Sequence, residues 1–468
     1  MAVSLKAWPS RLVARSWLLA FVPINAATAG FGVVLPLLIL IPLHGSWADV
    51  AVAATLFNTA VILSSVVWGH LADRFPTRRV FLVVNYAGYG LLYLGLTHLD
   101  SLPALYAIYT VIGLLAPAGA SASNLLILEK FSEKERASAF ASFQEMSMIG
   151  SVVGLLIGYF WTLANDALLT LLYVLAGLAV ASAVALWFGI REAHRTLSTR
   201  HVAKHAESLA SRIRENVALR IPIPFFPHRP RRGPHAWARF RAWAKQELHH
   251  ELPLIMAAGF LFNLSSNLYN ISYTPYLYSA GLAASSIFLV NFSNNFAQTL
   301  VFPLTGGLSA RFGPDRLVRA STYFRSLGYL ATVGFTIAVL SWGGALDANL
   351  IVYGILGVAI AVYTTASSLM LFRGVEGRDA GSLLGVNSAL GGVAAVAGAG
   401  LSGILSVVGS FRLVFLVAGG ALLVSVPIWA AASVAYHRRR LAAEVPVIAP
   451  AQVPADRPTD PALATKTQ

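Results

Sequence analysis

Long apolar stretches alternate with short polar ones along most of the chain. The hydrocarbon core of a membrane is ~30 Å thick, and about 20 apolar residues in helical form are needed to cross it. Helices are favoured there because the backbone in lipid has to satisfy its own hydrogen bonds. The pattern therefore predicts twelve membrane-spanning helices. They cover residues 17–43, 50–72, 79–97, 103–129, 137–161, 167–190, 252–279, 285–308, 318–342, 348–372, 382–408 and 412–436.

The composition also indicates a membrane protein. Of the 468 residues, 57% are hydrophobic and 12% are charged, and the mean hydropathy is +0.67. Such a chain has too little polar surface to enclose a soluble globule of this size. We therefore predict an all-α polytopic membrane protein. Basic residues precede span 1 as in a secretory signal, but its apolar stretch continues to Leu43, so we expect it to be retained.

Lys and Arg are concentrated in alternate loops, and short cytoplasmic loops are the ones that carry an excess of these residues. Basic residues precede span 1 and follow spans 2, 4, 8 and 10, whereas Arg412 is the only one in the opposite loops. We therefore expect both termini in the cytoplasm of a multi-pass cell membrane protein, in a prokaryotic inner membrane. The net charge of +14 then reflects topology, so anionic lipid headgroups are the expected partner and nucleic acid is not.

The most distinctive segment joins spans 2 and 3 and reads GHLADRFPTRR from Gly69 to Arg79. Its order, Gly-x-Leu-Ala-Asp-Arg-x-x-x-Arg-Arg, resembles the signature loop of the major facilitator superfamily of secondary transporters. Pro76 departs from it where the family usually has glycine, and Thr77 where it often has a basic residue. A merely positive cytoplasmic loop would explain the arginines but not the Gly, Leu and Asp at these offsets.

This resemblance implies the fold of that family, twelve helices in two six-helix bundles. It also implies that spans 5 and 11 pack against spans 8 and 2 across the boundary between the bundles. For Asp73 it implies a contact with the start of span 11 that holds the cytoplasmic side shut. The conformational gating set is Gly69, Asp73, Arg74, Arg78, Arg79 and, from the second half, Arg311.

A degenerate copy of the segment, GGLSARFGPDR, follows span 8 and begins at Gly306. Internal duplication of six spans is common in transporters and places the substrate near mid-membrane. Ala310 stands where the first copy has Asp73, so we do not expect the halves to be equivalent. We predict an N-terminal bundle at residues 1–190, a basic cytoplasmic linker at 191–250, a C-terminal bundle at 251–440 and a disordered tail at 441–468.

The linker is rich in Arg, His and Pro and is predicted to be mostly flexible. Trp237, Phe240 and Trp243 alternate with basic residues, which is typical of an interfacial helix and equally of a simple basic tether. The chain has no cysteine, no lysine that follows a glycine and no paired carboxylates at catalytic spacing within a span. We therefore predict no metal site, no cofactor and no enzyme.

Two spans carry amide side chains at helical spacing. Asn263, Asn267 and Asn270 share one face of span 7, and span 8 has a similar stripe. Amides offer both donors and acceptors without charge, which suits a neutral or zwitterionic ligand. Hydrogen bonding between helices is the alternative. By resemblance, helices 1, 4, 7 and 10 line the cavity, and the candidate contacts are Asn25, Tyr109, Asn124, Asn263, Asn267, Asn270 and Tyr273.

Ionisable residues inside the spans are scarce. Glu145 in span 5 lies at a depth similar to that of Asn294, Asn295 and Gln298 in span 8. We predict that these four form a cytoplasmic latch, with Glu145 as the proton-coupling candidate; a purely structural hydrogen bond is equally compatible. Arg325 in span 9 is interpreted as snorkelling to the inner headgroups.

These features together predict a monomeric secondary active transporter that moves a small organic solute by alternating access, coupled to a proton or another ion. Export is favoured over uptake, because the extended patterns associated with sugar porters are missing from the sequence. The first alternative is an uptake permease or facilitator for a neutral polar solute. The second is a non-transporting membrane receptor or scaffold on the same fold.

Overall fold

The computed structural model describes residues 16–75, 77–131, 133–165, 167–190, 251–342, 345–375 and 380–444. This part of the chain forms twelve α-helices and no strand, and the first helix continues a short 3-10 turn at Ser16–Phe21. The predicted linker and residues 445–468 of the predicted tail lie outside it. Residues 441–444 were predicted to be disordered, and this is wrong, because they continue the last helix. The helices are α1 (Val22–Leu40), α2 (Trp47–Arg74), α3 (Arg78–Leu96), α4 (Leu102–Lys130), α5 (Glu133–Ala164), α6 (Leu168–Gly189), α7 (Leu252–Ser279), α8 (Ala284–Phe312), α9 (Pro314–Trp342), α10 (Ala345–Val375), α11 (Ala380–Val408) and α12 (Phe411–Glu444).

The all-α prediction is confirmed, each of the twelve predicted spans falls on a helix, and span 7 has the predicted ends. The largest difference is at α12, which continues beyond the predicted end at residue 436 through three arginines to Glu444. By length and composition, ten of the described helices could cross a membrane. The exceptions are α8 and α9, where amide and arginine side chains lower the apolar content.

Each half repeats the same set of helix contacts. In the first half α1 packs on α5 and α6, α3 packs on α4 and α6, and α2 packs on α4. In the second half α7 packs on α11 and α12, α9 packs on α10 and α12, and α8 packs on α10. Each pair corresponds to its partner when six is added to both helix numbers. This structural repeat accompanies the sequence repeat at Gly69 and Gly306.

Close backbone approach within each half depends on glycine at equivalent places. A Cβ on Gly154 of α5 would overlap the backbone carbonyl of Ala26 in α1, and one on Gly398 of α11 would lie 2.5 Å from the carbonyl oxygen of Leu264 in α7. Small residues allow helices to approach this closely in membrane proteins. Each half therefore contains this closely packed helix pair.

The two halves meet mainly along α2 with α11 and along α5 with α8, as the resemblance implied. We use "cytoplasmic end" for the end that the distribution of Lys and Arg assigns to the cytoplasm, and "outer end" for the opposite one. At the outer end, Trp47 of α2 packs on Phe411 of α12 with ring centroids 3.8 Å apart. Gly158 of α5 lies directly against the buried ring of Phe288 in α8. The halves are therefore closed together at the outer end.

Candidate functional site: a polar cavity between the halves

A cavity of about 440 Å³ lies near the middle of the helices, and both halves contribute to its wall. From the first half come short or apolar side chains of α1 and α5. From the second half come the amide, hydroxyl and guanidinium groups of α7 to α10. The lining residues are Thr28, Ala29, Gly32, Val33, Ser151, Leu155, Asn270, Thr274, Asn291, Asn294, Asn295, Gln298, Arg325, Tyr353, Leu356 and Ile360.

The wall from the first half offers little for polar recognition. The Thr28 hydroxyl donates to the carbonyl oxygen of Ile24, and the Ser151 hydroxyl donates to that of Ser147, so both donors are used within their own helices. The neighbouring Gly32 and Val33 add only surface. Polar groups able to orient a ligand are thus concentrated in the second half.

The amide stripe of α8 forms an ordered network in this wall. Gln298 Nε2 donates to Asn294 Oδ1 at 2.6 Å, and Asn294 Nδ2 donates to the carbonyl oxygen of Tyr353 in α10 at 2.8 Å. The Nδ2 groups of Asn291 and Asn295 donate to carbonyl oxygens of α8 itself. Within the described residues, the side-chain oxygens of Asn291, Asn295 and Gln298 accept no hydrogen bond. The network therefore holds α8 against α10 and leaves acceptors for a ligand.

Arg325 brings a positive charge to the same wall, and the residue is 3% exposed. Its Nε donates to the Tyr329 hydroxyl at 2.8 Å, and its guanidinium carbon lies 5.1 Å from the ring centre of Phe262 and 5.2 Å from that of Tyr329. The snorkelling interpretation is therefore wrong. The i, i+4 spacing of Arg325 and Tyr329 was the available signal in the sequence for a hydrogen bond between them. The sequence alone did not show whether this face of α9 points to lipid or to the protein interior.

The amides predicted on α7 separate in the structure. Asn270 lines the cavity. Asn267 lies about one turn and Asn263 about two turns closer to the cytoplasmic end, and neither is among the lining residues. Their Nδ2 groups donate to α7 carbonyl oxygens, that of Asn263 to Gly259 and that of Asn267 to Asn263. Asn267 also packs against α11 at Gly398. The predicted stripe thus has one member in the cavity.

The other cavity candidates lie around it. Asn25 donates to the Phe21 carbonyl oxygen where α1 meets α5, and Asn124 is exposed on α4. Tyr109 stacks on Phe57 with ring centroids 4.7 Å apart. The Tyr273 hydroxyl donates to Asn349 Oδ1 at 3.0 Å inside the second half. Contact of these four with a ligand stays a prediction.

In the signature loop, the described basic residues bind their own half. Arg78 Nε pairs with Glu129 of α4 at 2.9 Å, and Arg79 lies 4.1 Å above the Trp187 ring while donating to the Trp187 carbonyl oxygen at the end of α6. An added Cβ on Gly69 would meet no atom within 4 Å. Arg311 is exposed, 5.3 Å from the Phe312 ring centre. The side chains of Asp73 and Arg74 lie outside the described residues, so their gating role stays a prediction.

The latch predicted at the cytoplasmic end brings Glu145 to the amides of α8. In the structure Glu145 is exposed, and Gln298 binds Asn294 within α8. That arrangement fits an open cytoplasmic side, in which the latch is expected to be parted. The latch itself stays a prediction.

Comparison with known proteins gives the family. Residues 17–245 match the sequence model of the Major Facilitator Superfamily. No curated protein is similar enough by sequence to count as a relative. Among solved structures, the nucleoside transporter NupG is 12% identical with a TM-score of 0.61, covering 89% of this chain and 98% of its own. A point mutant of NupG, also 12% identical, has a TM-score of 0.58 at the same coverage.

The xylose transporter XylE of E. coli, solved in a partially occluded inward open conformation, is 16% identical with a TM-score of 0.59. The match covers 89% of this chain and 95% of XylE. At these identities the likeness shows the fold, which is that of twelve helices in two similar halves. The family match over residues 17–245, which include the signature at Gly69, identifies this chain as a member of the major facilitator superfamily, a family of transporters and not of enzymes.

Proposed function

We propose that this protein is a secondary transporter that moves a small polar organic solute by alternating access, with the cavity as its binding site. The observation that carries the proposal is the position of the cavity, between two halves that repeat the same helix contacts. A ligand there contacts both halves, so its binding can depend on their relative position. The predicted bundles, 1–190 and 251–440, are proposed as the two moving units.

We infer that this arrangement faces the cytoplasm. The halves are closed at the outer end through Trp47 with Phe411 and Gly158 with Phe288. Nearer the cytoplasmic end, Asn124, Glu145 and Asn263 are exposed on α4, α5 and α7. Transport then requires a second state in which the outer contacts part and the cytoplasmic ends meet.

Export remains the favoured direction, as proposed from the sequence, and uptake is the alternative. Binding and flux test the proposal together. Full-length protein would be screened for solutes that raise its melting temperature, since a ligand of the folded state stabilises it. Each binding solute would then be tested for counterflow in proteoliposomes. Binding without any flux would favour the receptor or scaffold and would contradict transport.

For a solute that binds, Asn270→Ala is expected to weaken affinity by about 1–3 kcal/mol, because a ligand group buried against the amide loses its partner. Asn263→Ala is the matched control, since this amide is on the same helix but away from the lining residues. Dissociation constants by calorimetry would compare the two variants. Equal affinities in Asn270→Ala and wild type would remove Asn270 from the site.

Glu145 is the proposed proton-coupling group, and Glu145→Gln is expected to abolish accumulation driven by a pH gradient. Counterflow exchange of the solute should persist, because the variant keeps the side-chain shape and loses only the exchangeable proton. Proteoliposomes with and without an imposed gradient would separate the two readouts. If gradient-driven accumulation persists in the variant, the coupling role is wrong.

A further inference from the structure

We infer that the solute is an organic acid and that its anionic group, a carboxylate or a phosphate, pairs with Arg325. This inference rests on the proposed function, because it names the substrate class of the same cavity. It replaces the neutral or zwitterionic ligand that the amides alone suggested. Arg325 adds a positive charge to a wall whose other polar groups are neutral.

The charge of Arg325 has no counterion among the described residues. Three of their carboxylates are paired with other arginines: Glu129 with Arg78, Asp315 with Arg373 and Glu251 with Arg439. Asp49 belongs to the start of α2 at the outer end, where it accepts hydrogen bonds from Ser46 and Tyr106. The guanidinium is therefore a buried cation at the wall of a polar cavity.

The groups that surround Arg325 compensate for only part of this burial. A cation over an aromatic ring is stabilised modestly, and the rings of Phe262 and Tyr329 both lie within reach. Removing a charge from water costs more than this, even after the protein relaxes. The part of the desolvation cost that the rings do not offset favours an anion in the cavity. A guanidinium can donate two parallel hydrogen bonds to a carboxylate or a phosphate there.

The rest of the wall complements the other end of such a molecule. The side-chain oxygens of Asn291, Asn295 and Gln298 accept no hydrogen bond within the described residues, so they suit hydroxyl or amino donors. Thr28 and Ser151 on the opposite wall are already used within their helices. The geometry points to a compact acid with polar substituents that fits about 440 Å³.

Matched pairs of an acid and its neutral counterpart test the inference while the natural solute is still unidentified. Purified full-length protein would be titrated with gluconate and gluconamide, p-hydroxybenzoate and p-hydroxybenzamide, and phenyl phosphate and phenol, following its melting temperature. At least one acid should stabilise the wild type more than its neutral partner does. Arg325→Gln should weaken binding of that acid by ~10-fold or more, as expected for loss of a charged hydrogen bond. Arg316→Gln, at an exposed position of α9, should not.

Arg325→Lys keeps the charge but loses the bidentate geometry, so it should retain a weaker preference for the acid. This variant also covers the case in which Arg325→Gln does not fold. The inference is overturned if no acid binds better than its neutral partner, or if the preference survives in Arg325→Gln.

A neutral solute that binds through Asn270 but not through Arg325 would overturn the charge assignment and leave the transport proposal standing. An acid that binds through Arg325 without flux would support the anion site and contradict transport.

Discussion

Replacing Gly158 by valine is expected to lower solute flux by ~10-fold or more while the protein still folds. A Cβ at this position would overlap the Phe288 ring, which is fully buried at the boundary between the halves. Overpacking typically costs ~1–3 kcal/mol. Here the cost falls on the state closed at the outer end, and a difference of that size changes a conformational equilibrium by ~5–150-fold. The protein would rest with its outer end open and rarely expose the cavity to the cytoplasm.

The control for this variant is the double variant Gly158→Val, Phe288→Ala, in which the opposing ring is removed and flux should recover in part. Flux in proteoliposomes and elution as a single folded species would be measured for each. Gly154→Val makes a useful contrast. It overlaps a backbone carbonyl inside one half, so we expect loss of folded protein and not a trapped conformation. Wild-type flux in Gly158→Val would mean that the halves do not need this contact.

Joining α2 to α12 at the outer end is expected to stop transport completely and reversibly. Trp47 and Phe411 have ring centroids 3.8 Å apart, and the chain has no natural cysteine, so Trp47→Cys with Phe411→Cys gives a single defined thiol pair. A short bifunctional methanethiosulfonate reagent that couples to both thiols would span the space left by the two rings and hold the outer end shut, because alternating access requires that end to open. Cross-linking should abolish flux, and a reductant, which cleaves the bonds to the reagent, should restore it.

The two single-cysteine variants control for loss of the aromatic side chains, and the bifunctional reagent should not abolish their flux. Cross-linking would be followed by a mobility shift after cleavage in the long segment between the halves. Full flux in the completely cross-linked protein would contradict the rocking mechanism, whereas solute binding from the cytoplasmic side should survive it.

Most of the fold was predictable because the membrane leaves few alternatives to an apolar helix of fixed length. Span 7 matches α7 at both ends, and the copy of the Gly69 segment at Gly306 indicated the duplication. The end of α12 was missed because the helix continues past the apolar run into its arginines. Apolar content marks where a helix enters lipid, not where its hydrogen bonds end.

The site was only partly predictable. Asn270 was identified because helical spacing and the family resemblance both placed it towards a cavity. Arg325 was assigned to the surface, since one arginine in an apolar helix is compatible with snorkelling and with burial alike. The choice depends on Phe262, a residue of another helix, and no pattern within α9 reports that neighbour. The direction in which a helix side chain points depends on how the helices pack, and the sequence of one helix does not contain that information.

The polar lining belongs almost entirely to the second half, so the two halves select different properties of the solute. A solute bound to Arg325 and the α8 amides would stay fixed to the second half during transport, and the first half would move relative to it. Changes at Gly32 or Val33 would then set how bulky a cargo is admitted, and changes at Arg325 or Asn270 would set its chemistry. Size and chemical identity would thus be adjustable at separate positions, each without disturbing the other.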